Sequence, residues 1–175
     1  TDCLNLSVPR TMRKTVNSPS PVLLILRLLF ISLPVSAGWE PFDQWDQQLL
    51  PAQPVSMGRI TSAAVYASLA LPVPDIIMGP DTLYDGMSYA ASLGAAYGTK
   101  ELVKRISGRT RPDGEANSFP SGHATGSAAA LGYMLYMNRT RDYAHPAYLY
   151  VSIPLQGIVG SGRVLSKRHY PSDVI

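Results

Sequence analysis

Three short polar clusters carry side chains able to hold and transfer an oxyanion. The segment "KRISGRTRP" sets Lys104 ahead of Arg111-Pro112, "PSGH" runs from Pro120 to His123, and "GRVLSKRHYPSD" contains Arg163, His169 and Asp173. Lysine supplies a point charge and arginine a planar fork of donors, so Lys104 and Arg111 can meet one anion if a helix ends near Gly108 and the chain turns back. Ser121 is suited to an N-cap and Gly122 to close backbone approach, so the first turn that follows offers free N–H groups to an anion, with His123 on its rim. A carboxylate at Asp173 beside the His169 ring would fix which nitrogen carries the proton and leave the other free to attack.

Each cluster alone has a plainer explanation. Basic residues near a helix C-terminus complement the macrodipole, Pro-Ser-Gly-His can be a capping turn with an exposed histidine, and Asp173 can be a first-turn acid. Together they offer three cations, neutral donors and two imidazoles around one tetrahedral guest. That set suits phosphoryl transfer through a covalent histidine, because the transferred group spreads its charge over oxygens that preorganised donors stabilise, and three cations leave no strict need for a metal.

The pattern K-x6-RP, PSGH and R-x5-H-x3-D resembles the tripartite signature of the type 2 phosphatidic acid phosphatase superfamily, which includes lipid phosphate phosphatases, bacterial acid phosphatases and vanadium haloperoxidases. The resemblance runs from Lys104 to Asp173. It implies His169 as nucleophile, Asp173 as its orienting acid, and His123 as the proton donor to the leaving oxygen. Lys104, Arg111, Ser121, Gly122 and Arg163 would bind the phosphate, with no metal and no cofactor. Vanadate would enter only if the chain were a haloperoxidase. One position departs: the family usually has Ser before the third-cluster Arg, where this chain has Gly162, with Ser161 one place earlier. The family continues beyond the equivalent of Ile175 into another core helix, so a truncated bundle is expected, with Asp173 poorly held.

The elements that must position these residues read as helices. Little alternates with period two and small residues dominate, so the expected class is all-α, a helical bundle. Helices are expected at Ile60–Ala70, Thr82–Ile106, His123–Met137 and Tyr148–Val164, with Pro72, Pro74 and Pro80 breaking the chain between the first two. Trp39, Phe42, Trp45 and Leu49 recur at spacings of three and four, which predicts a short amphipathic helix whose aromatic stripe caps the core or lies at a bilayer interface. His145 has no matching partner in the sequence and reads as a loop residue.

Charged residues make up 15% of the 175, and the formal charge is only +3. That leans toward a membrane-associated or tightly packed helical protein and away from nucleic-acid binding. The uncharged intervals Ile60–Pro74 and Gly86–Thr99 are too short to span, leaving Ala116–Asn138 and Tyr143–Gly162 as marginal candidates. Cys3 is the single cysteine, which excludes an internal disulfide and a thiolate nucleophile near the clusters. From Met12, a basic start, an apolar stretch and Val35-Ser36-Ala37 read as an export signal cleaved after Ala37.

The expected organisation is therefore upstream residues plus export signal over 1–37, an amphipathic lead-in over 38–58 and a phosphatase core over 59–175. The expected function is an exported phosphatase acting on phosphomonoesters, lipid phosphates or pyrophosphates. It would be membrane-associated in a bacterial envelope, at the periplasmic face of the inner membrane or in the periplasm. The other readings are a vanadate-dependent haloperoxidase and a non-catalytic phospholipid-binding envelope protein.

Overall fold

The structure is a computed structural model that describes residues 40–175, with side chains from residue 44 onward. The segment read as an export signal, together with Trp39 and the Phe42 side chain, lies outside the described residues. The helices are α1 (Glu40–Leu49), α2 (Gly58–Ala70), α3 (Val73–Met78), α4 (Thr82–Ser107), α5 (Gly122–Thr140) and α6 (Ala147–Leu165), followed by a 3₁₀ turn, Pro171–Asp173. Among the described residues there is no strand, and the class is all-α.

The prolines between α2 and α4 do not merely break the chain. Pro72 stands at the N-cap of α3 and Pro74 in its first turn, where a missing N–H costs nothing. The long α4 stops where Gly108 adopts a left-handed φ of 55° and donates its N–H to the Lys104 carbonyl. That stop turns the chain back toward the start of α5, where Ser121 is extended and Gly122 opens the helix.

α2 packs on α5 and α6, α4 on α5, and α5 on α6. The core is small and partly aromatic: Ile76, Tyr89, Ala130, Tyr133 and Met137 form one cluster, and Ala64, Val65 and Val159 another. Tyr89 and Tyr133 pack as a tilted pair with centroids 4.8 Å apart, and the Tyr89 hydroxyl donates to the Leu69 carbonyl at 2.8 Å. Burying a side chain such as Ile76, Met137 or Val159 contributes about 1.5–3 kcal/mol. Close helix approach depends on two glycines. A Cβ on Gly126 would collide with the Tyr97 hydroxyl, and one on Gly162 with Thr61 Cγ2.

The outer faces carry large apolar groups, including Tyr66, Ile77, Met78, Leu83, Met87, Tyr150 and Ile153. Among the described residues, Gly58–Met78 is long and apolar enough to cross a membrane by length and composition. The uncharged interval in the sequence, Ile60–Pro74, is shorter because Asp75 closes it. In the fold, the charge that closed it, Asp75, is buried and bound by His145, whose backbone N–H reaches Asp75 Oδ2 at 2.9 Å and whose Nδ1 lies 2.5 Å from Oδ1. His145 therefore has a partner, and that partner clamps α3 to the α5–α6 connection.

Candidate active site

α4, α5 and α6 bring the three polar clusters to one end of the bundle. Lys104 lies in the last turn of α4, Arg111 in the loop after it, His123 in the first turn of α5, and Arg163 in the last turn of α6. His169 and Asp173 follow on the segment that enters the 3₁₀ turn. The proximity shows in the electrostatics. Burial lowers the His123 imidazole below the ordinary histidine value, and the charges of Arg163, His169, Arg111 and Lys104 lower it further. Burial likewise lowers Lys104, with Lys100, Arg111 and Arg163 adding and Glu101 opposing. Arg163 is lowered by burial, then by Arg111 and Arg168, while Asp113 and Glu115 act the other way.

His169 is 1% exposed. Burial lowers its imidazole, Asp173 opposes this, and Arg163 and Arg111 reinforce it, which favours a neutral ring. Its Nδ1 stands 3.6 Å from Asp173 Oδ2, an electrostatic contact longer than a hydrogen bond. Burial pushes the Asp173 carboxyl up, but the facing His169 ring, the Ser118 hydroxyl, the Tyr170 N–H and Arg109 outweigh it and hold the group below the ordinary carboxylate value.

Far from being poorly held, Asp173 is fixed from several sides. Ser118 Oγ and the Tyr170 N–H donate to Oδ2, the latter at 2.8 Å, and Arg109 Nη1 donates to Oδ1 at 2.8 Å. The backbone is tied as well, since the Ser121 N–H donates to the Asp173 carbonyl at 2.9 Å and joins the second cluster to the third.

Among the described residues at this end, Arg111 Nε, Ser121 Oγ, Arg163 Nε and His169 Nδ1 are buried with no hydrogen-bond partner. Unpaired donors cost free energy in a dry site, and an oxyanion would satisfy several of them at once. Ser121 occupies the N-cap position, yet its hydroxyl makes no cap bond and stays available. Arg111 already donates to a carboxylate, with Glu115 Oε2 2.5 Å from its Nη1.

The space beside Gly122 is taken by a residue the sequence reading passed over: a Cβ there would stand 3.6 Å from Lys100 Nζ. Lys100 also pairs with Glu101 at 2.5 Å and lies 4.9 Å from the Tyr97 ring centroid. Neither residue at the departing position supplies a hydroxyl to the site. Gly162 is buried against Thr61, and Ser161 Oγ donates to the Gly157 carbonyl at 2.7 Å.

Of the two uses expected for the α1 stripe, capping the core does not fit its described part. Trp45 and Leu49 point outward, and the fully buried side chain is Asp46. It accepts from Arg109 Nη2 at 2.5 Å, from the Ser172 hydroxyl at 2.5 Å and from the Ser172 N–H at 3.0 Å. Asp46, Arg109, Ser118 and Ser172 form a second tier behind the His169–Asp173 pair. The available signal was Arg109, the first of two arginines inside "GRTRP" in a chain with few charges.

A family model described as the PAP2 superfamily matches residues 85–175, more than half of the chain and every clustered residue named above from Lys104 on. The chain belongs to the PAP2 superfamily. A lipid A 1-phosphatase of Porphyromonas gingivalis is 42% identical over 71 residues, an alignment covering 39% of this PAP2 chain and 15% of that protein. No solved structure matches.

Proposed function

We propose that the chain hydrolyses phosphate monoesters of lipids through a phosphohistidine intermediate. The observation that carries this reading is the convergence of Arg111, Ser121, Arg163 and His169, each with a buried unpaired atom, around the half-buried His123. In this reading Asp173 orients the His169 ring through Nδ1, and Nε2 attacks phosphorus. The bond to the leaving oxygen breaks and that oxygen takes a proton from His123. Water then attacks the phosphohistidine, giving its proton to His123; the N–P bond breaks and inorganic phosphate leaves. Lys104, Arg111, Arg163, Ser121 and the N–H groups at Gly122 hold the charge that builds on the oxygens, so the step runs without a metal or other cofactor.

A lipid substrate is supported by the relative's printed name and by the apolar outer faces of α2, α3, α4 and α6, which suit contact with a bilayer. The Met12–Ala37 segment supports export, which would set the site at the periplasmic side of a bacterial membrane.

The test is release of inorganic phosphate, without added vanadate, from a phosphorylated lipid in mixed vesicles and from soluble alkyl and aryl esters. Turnover of the lipid is expected, and His123→Ala is expected to spare aryl phosphates, whose leaving groups need no proton, more than alkyl ones. Equal loss on both would remove His123 from the acid role. Halide oxidation appearing only with vanadate, or phosphate binding without turnover, would replace the reading.

A further inference from the structure

We propose that Asp46 and Arg109 are positioning residues of the His169–Asp173 pair, so that α1, which lies ahead of the region matching the family, tunes the nucleophile. The effect on turnover rests on the phosphohistidine reading; the effect on the imidazole itself rests on geometry alone.

The two oxygens of Asp173 have separate tasks. Oδ1 is taken by Arg109 Nη1 at 2.8 Å, which leaves Oδ2, steadied by Ser118 and the Tyr170 N–H, as the oxygen 3.6 Å from His169 Nδ1. Arg109 is shared: its Nη2 binds Asp46 Oδ2 at 2.5 Å, its Nη1 also reaches Ser172 Oγ at 2.6 Å, and its guanidinium lies 4.3 Å from the Tyr170 ring centroid. The Arg109 side chain is 4% exposed and both carboxylates are 0% exposed, so little solvent screens the row.

Two carboxylates share one guanidinium, and the row carries a net negative charge toward His169. The ring is faced by Asp173 from the 3₁₀ turn, by Arg163 from α6, by Arg111 from the loop after α4 and by His123 from α5. The cations discourage protonation of the ring and the row partly offsets them.

The sign of each change follows. Arg109→Gln removes the cation that screens Asp173, favours the imidazolium and moves His169 titration to higher pH. Asp46→Asn leaves Arg109 less compensated and moves it to lower pH. A purely structural pair would not give opposite shifts.

The experiment follows the histidine side chains of the full chain by NMR during a pH titration, with the His169 signal assigned by its absence in His169→Gln. The acid limb of kcat/KM on a phosphate ester is measured in parallel. Opposite shifts in the two variants are expected in both readouts, and Arg109→Gln is expected to lose about a hundredfold in kcat with KM unchanged, as for a misplaced reacting group. Arg109→Lys, which keeps the charge but not the fork, is expected to titrate like the parent while still losing kcat. Unshifted titration in both variants, or shifts of the same sign, would overturn the proposal. Opposite NMR shifts in a chain without any turnover would sink the phosphatase reading and leave the positioning role standing.

Discussion

The bundle buries an aspartate against an arginine at both ends, and the two ends finish the job differently. Near the start of α4, Asp85 is fully buried, accepts from Arg141 Nη2 at 2.8 Å and from the Tyr143 hydroxyl, and its carbonyl accepts from Tyr133 at 2.7 Å. Nineteen residues along the same helix, about 28 Å at 1.5 Å per residue, lies Lys104 at the other end. There Asp173 is equally well held, but the surrounding cations are not consumed by it. Among the described residues bound to Asp85, Arg141 Nε is left unpaired, whereas Arg111 Nε, Ser121 Oγ, Arg163 Nε and His169 Nδ1 are left at the second end. A closed cluster ties helices together; an open one keeps donors in place for a guest.

The contrast can be broken by removing one arginine from each end. Arg163→Ala is expected to cost about 10²–10³-fold in kcat/KM, the loss typical of one donor to a developing oxyanion, with little change in melting temperature. Arg141→Ala should do the reverse, losing about 3–5 kcal/mol of stability because Asp85 is left as an uncompensated buried charge, while the folded fraction keeps its turnover. Equal effects of the two changes on activity would erase the distinction between the ends. Thermal melts and steady-state rates on the same preparations decide it.

The charge pattern of the open end also sets a pH dependence. In the proposed reaction His169 is neutral to attack and His123 protonated to donate, and burial lowers both before neighbouring charges act on them. A lowered His169 carries the acid limb of kcat/KM down, and a lowered His123 carries the basic limb down. The optimum for an alkyl phosphate is therefore expected on the acid side of about 6.5, the ordinary histidine value. A profile centred above neutrality would contradict this arrangement of cations.

The smallest expected effect concerns the packing beneath Arg163. Gly162→Ser would drive a side chain into Thr61 and is expected to cost about 1–3 kcal/mol. Thr61→Ala in the same chain removes the colliding methyl and should recover most of the loss. Failure of that rescue would mean that Thr61 is not the group that excludes a side chain at position 162.

The sequence made the helices legible because each has a clear stop, such as Gly108 after α4, or an opening Pro-Ser-Gly before α5. α3 was hidden because proline signals both a break and a first turn, and only packing chooses between them. The cations and histidines that the fold brings to one end were legible because few residue types suit an oxyanion. The second tier was not. Asp46 sits on α1 between exposed Trp45 and Gln47, and nothing in a helical period says that an acid will face inward. It does so because Arg109, 63 residues away, is buried there to meet it. Likewise the hydroxyl expected before Arg163 is missing because α2 approaches too closely at Gly162, a tertiary demand invisible in spacing.

The most direct test is to quench a reaction with a phosphate ester labelled in its phosphoryl group and look for label on the protein. An acid-labile, base-stable phosphoenzyme mapped to His169 is expected, absent in His169→Ala and accumulating when its hydrolysis is slowed. Turnover without any such adduct, or label retained in His169→Ala, would contradict the phosphohistidine reading.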